Sequence, residues 1–133
     1  MPNWCENRVN IYCDRPEILK EFTEECMTNG VFDFFKIVPL GLGEDENGNP
    51  KWEYNTAVSK WGTKWQLCDD DADGFLIEED RIEANFDTAW GPPVKIYNAI
   101  EAWFQDRVNP SDFSISWFYD EPGMQFAGYL NNE

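Results

Sequence analysis

The sharpest chemical pattern in the chain is the run Asp69-Asp70-Asp71-Ala72-Asp73-Gly74-Phe75-Leu76-Ile77-Glu78-Glu79-Asp80. It reads D-x-D-x-D-G with an acid in the twelfth place. Calcium takes about six to eight hard oxygens, and this loop offers Asp69, Asp71, Asp73, the Phe75 carbonyl and Asp80 around a turn that Gly74 permits. The last place holds Asp, not the longer bidentate Glu, and the flanks read as loop and strand. A solvated acidic turn is therefore the competing reading. A second pattern is Trp61-Gly62-Thr63-Lys64-Trp65. Trp61, Lys64 and Trp65, with Trp90 as a further wall, would make a pocket for a small nucleotide-like ligand. The alternative is that both tryptophans of the segment anchor a loop onto the core.

What is absent is as informative. The 133 residues contain no His, which excludes His-based triads, His general bases and His metal ligands. Cys5, Cys13, Cys26 and Cys68 form no C-x-x-C pair, so zinc is not expected. Cys5 and Cys13 fall on one face of one strand, too far apart to bond each other. Reduced core thiols in a cytoplasmic protein are the expectation. The start MPNWCENRVN has no basic stretch leading into an apolar run, so no signal peptide is expected. No apolar run approaches a membrane span. The carboxylates form no recognisable acid/base pair, and a Cys nucleophile would lack a base. No catalytic residue and no cofactor is assigned, calcium at 69–80 being the one alternative.

Charge supplies the main clue. Twenty-six Asp and Glu against ten Lys and Arg give −16. Such a chain repels phosphate and anionic lipid, so direct nucleic-acid or membrane binding is not expected. It attracts basic protein surfaces. The excess is concentrated at 69–83, with eight acids and one Arg, and continues along residues 14–33. The residues assigned to partner binding are Asp69, Asp70, Asp71, Asp73, Glu78, Glu79 and Asp80, with Glu21, Glu24 and Glu25 as a second patch.

These residues need elements to hold them. Residues 5–13 alternate with period two: Cys5, Asn7, Val9, Ile11 and Cys13 share a face. Asn7 on that face must find buried partners, in the insertion backbone or the Trp61–Trp65 turn. Pro16 opens a helix whose stripe is Ile18, Leu19, Phe22, Cys26 and Met27, stopped at Asn29-Gly30. Residues 31–38 read as a β-strand rich in aromatic and branched side chains. Residues 52–60 can make two helical turns. Residues 81–89 alternate again. Gly91-Pro92-Pro93 opens a second helix with the stripe Ile96, Tyr97, Ile100, Trp103, Phe104 and Val108. Strand 113–119 runs to a turn at Asp120-Glu121-Pro122-Gly123, where Glu121 reads as a turn residue, and strand 124–130 pairs back. The order predicts one α+β domain over 1–133: an antiparallel ferredoxin-like sheet, two helices on one face, and a long insertion at 39–80 between strands 2 and 3.

Four stretches, MPNWCENRV, WGTKW, FDTAWGPP and YDEPGMQFAGYL, resemble in the same order the phage- and plasmid-encoded YubB-type ferredoxin-like domain family. The resemblance spans nearly the whole chain. It implies a ferredoxin-like fold and a mobile-element origin, and it brings no catalytic residues. Gly91 stands where a Ser helix cap would be expected, and the acidic run 69–80 is particular to this chain. The combined expectation is a small acidic, non-enzymatic phage or plasmid protein in the host cytoplasm. It would inhibit a basic host defence protein that binds nucleic acid, by mimicking that nucleic acid.

Overall fold

The computed structural model describes residues 4–123 and 125–130, with Asp69 described by its backbone alone. Its centre is β1 (Trp4–Cys13), whose side chains alternate strictly between exposed and buried. Cys5, Asn7, Val9, Ile11 and Cys13 turn inward, as their spacing demands. The chain then forms α1 (Pro16–Cys26), with Pro16 in the first turn, where its missing N–H breaks no helical bond, and Leu19, Phe22 and Cys26 buried.

Residues 31–38 differ from the sequence expectation. β2 (Met27–Thr28) and β3 (Val31–Phe32) make a minimal hairpin across Asn29-Gly30, both at positive φ as such a tight turn requires. Asp33 then ends the extended run. Its carboxylate accepts from the backbone N–H of Phe35 and of Lys36, capping the helical turn α2 (Phe34–Ile37). The Gln66 side chain holds this cap, donating to Asp33 at 3.0 Å and accepting from the Phe34 N–H at 2.8 Å. An N-cap thus overrides the β-propensity of Phe34, Phe35 and Ile37.

Beyond Pro39 the chain forms α3 (Tyr54–Trp61), capped by Glu53 and closed by Gly62 in the left-handed region. A 3₁₀ helix spans Asp69–Gly74. β4 (Phe75–Ile77) follows and pairs with β5 (Arg81–Ala89), so the segment expected as an insertion ends inside the main sheet. The rest is α4 (Val94–Gln105), a short 3₁₀ turn at Pro110–Asp112, β6 (Phe113–Glu121) and β7 (Phe126–Leu130). Met124, the expected first residue of the last strand, lies outside the described residues. The fold is mixed α+β, with a five-stranded antiparallel sheet in the order β4-β5-β1-β6-β7. Among the described residues no helix is long and apolar enough to cross a membrane.

Buried side chains of α1, α4, β1, β5 and β6 share one core cluster. Phe22 stacks on Phe104 with centroids 5.1 Å apart, and Trp117 packs edge-on against Phe86 at 5.8 Å. Set into this apolar interior is Asn7. Its Nδ2 donates to Thr88 Oγ1 (2.9 Å) and to the Cys5 and Phe86 carbonyls, while its Oδ1 accepts from Trp117 Nε1 (3.0 Å). Asn7 therefore ties β1 to both neighbouring strands and not to the insertion. Glu121 is no turn residue either: β6 runs through it and its side chain is fully buried. Asn7→Ala strips the buried Trp117 indole and Thr88 hydroxyl of a partner. It is expected to cost about 2–4 kcal/mol, read as a lower denaturant midpoint at unchanged slope.

Candidate acidic groove

The outer face of the sheet carries the alternate residues. β1 presents Trp4, Glu6, Arg8, Asn10 and Tyr12 to solvent. The β1–β5 register sets Glu6 beside Asp87, Arg8 beside Asn85, and Trp4 beside Ala89. β4 stops opposite Ala84, and from there the 3₁₀ helix Asp69–Gly74 flanks β5. Gly74 makes that approach possible: a Cβ on it would lie 2.1 Å from the Asn85 carbonyl oxygen. Two adjoining clefts result. One, of about 390 Å³, is lined by Glu6, Arg8, Asp70, Asp71, Asn85 and Asp87. The other, of about 330 Å³, is lined by Trp4, Trp65, Cys68, Asp71, Asp87 and Ala89. Asp71 and Asp87 belong to both, so the clefts form one groove with an acidic middle and an aromatic end.

The middle is short of cations. Asp87 is held above the ordinary carboxyl range, first by partial burial and then by the like charges of Glu6 and Asp71. Among the described residues Arg8 is the only cation lining the groove, and its guanidinium lies 5.9 Å from the Phe118 ring centre. Asp71 is fixed by its own turn, its Oδ2 accepting from the Cys68 N–H at 2.8 Å. At the aromatic end Trp4 and Trp65 meet with centroids 5.7 Å apart and planes tilted by 39°.

The pocket residues expected from sequence divide. Lys64, Trp65 and Trp90 do come together: the Lys64 ammonium sits 4.3 Å from the Trp65 ring centre and 5.8 Å from that of Trp90. Trp52 Nε1 donates to the Lys64 carbonyl, holding that backbone. Trp61 is not a wall. It is fully buried, packs edge-on against Phe34 and Phe35, and donates to the Val38 carbonyl at 2.8 Å. Its role is to anchor α3 to the core.

The expected acidic set also divides. Asp70 and Asp71 line the groove, Asp73 is exposed beside it, and the Asp69 side chain lies outside the described residues. Glu78 pairs with Arg81 at 3.2 Å, and Arg81 also reaches Glu83. Glu78 and Glu79 border a separate cleft of about 560 Å³ between α1 and the end of β4. Asp80 accepts from the Cys13 N–H through its backbone carbonyl. The second patch is partly offset: Arg107, from the end of α4, pairs with both Glu21 (3.2 Å) and Glu25 (3.3 Å) while lying over Trp103, and Glu24 stays exposed. Residues 69–74 form a 3₁₀ helix, and Phe75 begins β4. Among the described residues no three His, Cys, Asp or Glu side chains are grouped to hold a metal ion.

Trp4, Glu6, Arg8, Asn85 and Asp87 line the groove without being singled out from sequence. Their signal was the polar side of two alternating strands, and only strand pairing shows that these sides adjoin. Three of the four thiols are buried. Burial pushes Cys5 up to about 11 and Cys26 to about 12, and it raises Cys13 as well. Cys68 is exposed at the groove's edge. No family model, curated protein or solved structure matches the chain.

A raised Asp pKa means that the folded state holds its proton more tightly than the unfolded chain. Ionised Asp87 therefore destabilises the fold at neutral pH, and the deficit disappears as pH falls below the unfolded Asp value of about 3.9. Asp87→Asn is expected to raise the melting temperature at pH 7, with the gain shrinking in acid and at high salt. Gly74→Ala forces the 3₁₀ helix off β5. A loss of about 1–3 kcal/mol is expected in chemical denaturation.

Proposed function

We propose that this chain is a non-enzymatic interaction protein that captures a basic, nucleic-acid-binding protein by offering carboxylates where that protein would meet phosphates. The observation that carries this reading is the crowding of Glu6, Asp71 and Asp87 in one groove where, among the described residues, the lining cation is Arg8 alone. A cationic partner relieves that repulsion, and the net charge of −16 steers it in. Asp70, Asp71 and Asp73 belong to the proposed surface, and Glu79 borders a separate cleft. Glu21 and Glu25 contribute less, because Arg107 already pairs with them.

The wider reading rests on resemblance. A ferredoxin-like arrangement is supported by the strand order and by a helix following β1 and another following β5, with β7 added at one edge. The YubB-type resemblance adds a mobile-element origin, hence action in a host cytoplasm against a defence component. The high thiol pKa values and the lack of His favour binding over catalysis.

The test is capture from host lysate with the immobilised chain. A nucleic-acid-binding protein should be recovered at low salt, released as ionic strength rises, and displaced by added duplex. The double variant Asp71→Asn/Asp87→Asn should recover at least about fivefold less, since each lost charge contact contributes on the order of 1 kcal/mol. Capture insensitive to salt, to duplex and to the double variant would overturn the proposal.

A further inference from the structure

The aromatic end of the groove has its own chemistry. Trp4 and Trp65 are both exposed by about two-fifths of their surface, an unusual cost for two large indoles side by side. Trp65 already receives a cation, since the Lys64 ammonium lies 4.3 Å from its ring centre. That ring thus already makes one cation–π contact. Asp71 and Asp87 line the same cleft, and the like charges of Glu6 and Asp71 bear on Asp87. With centroids 5.7 Å apart the two rings leave no slot between them, so a ligand must lie against the pair, within the cleft that the two carboxylates also line.

We propose that this cleft is the seat of an arginine side chain from the partner. This rests on the function proposed above and names the group that the groove selects. A guanidinium is planar, stacks on indole faces, and carries a fork of N–H donors that matches a carboxylate. It is also more weakly hydrated than an ammonium, so it enters a half-buried aromatic wall at lower cost. A lysine would satisfy the charge but not the stacking. An anionic nucleotide would meet Asp71 and Asp87 and is disfavoured.

The test uses the full chain and three blocked peptides, Gly-Arg-Gly, Gly-Lys-Gly and the citrulline analogue. The readouts are the indole N–H resonances of Trp4 and Trp65 in an NMR titration. The arginine peptide should shift both resonances, the lysine peptide should bind more weakly, and the neutral citrulline peptide should leave them in place. Trp65→Leu and Asp87→Asn should each weaken arginine-peptide binding about three- to thirtyfold, the range for one cation–π or charge-assisted contact. Asp87→Asn leaves the aromatic wall intact, so its result stands even if Trp65→Leu perturbs folding. Equal binding of the arginine and citrulline peptides, or of the arginine and lysine peptides, would overturn the assignment. If either equality is found while salt-sensitive capture of a basic protein persists, the arginine seat fails and the wider function stands. If arginine selectivity is found and no basic partner is captured, the seat stands and the wider function fails.

Discussion

Everything that distinguishes this molecule is arranged around the side chain of Asn7. Its amide spans three strands: it donates into β5 and accepts from the Trp117 indole on β6. Such a buried amide is tolerable only when its donors and acceptor are matched, and here they are. The Thr88 hydroxyl that receives its proton passes its own to the Gly91 carbonyl at 2.6 Å. That bond closes the strand-to-helix junction in which Trp90 sits at φ +73°, a conformation that a bulky residue adopts only under tertiary constraint. Next to it, Thr63 donates to the Ala89 carbonyl, fixing the segment that carries Lys64 and Trp65. The interior network and the exterior aromatic cluster are thus two ends of one chain of bonds.

Charge imposes the opposing constraint. A surface so negative pushes against itself, and the few guanidiniums are placed where the acids are densest. Arg107 draws Glu21 and Glu25 of α1 onto the end of α4, and Arg81 gathers Glu78 and Glu83 at the β4–β5 turn. Each pair is partly exposed and individually weak. Together they offset part of the charge on the helices and the hairpin, while Glu6, Asp70, Asp71 and Asp87 line a groove where, among the described residues, Arg8 is the one cation.

How far the sequence disclosed this depended on whether the deciding contact was local. Alternation in residues 5–13 and 81–89 and the stripes of α1 and α4 are local patterns, and they revealed the two central strands and the main helices. The run 31–38 misled because a single cap, Asp33, outweighs the β-propensity of Phe34, Phe35 and Ile37 once Gln66 arrives from far along the chain to hold it. Trp61 and Trp65 are indistinguishable by type, yet α3 turns one into the core and Lys64 leaves the other at the surface. Glu121 looked like part of a turn because Pro and Gly follow it, whereas β6 runs on and buries it. The groove itself was least legible. Glu6 and Asp87 are neighbours only through strand register, and Asp71 reaches them only because Gly74 lets a 3₁₀ helix abut β5.

The rigidity of those supports bears on how the groove can work. Glu6 and Asp87 stand on paired strands and Asp71 on a 3₁₀ helix that its own carboxylate caps, so the backbone that carries them is already ordered when a partner arrives. Binding then avoids the cost of ordering a loop. The repulsion among them is sustained in the unbound chain by the packing below, in particular by the Asn7 network that fixes the outer positions of β1 and β5. A cation entering the groove removes that repulsion as it forms its own contacts. The feature that makes the unbound fold less stable is therefore the same feature that favours a cationic ligand, and the buried amide is what allows the two to coexist.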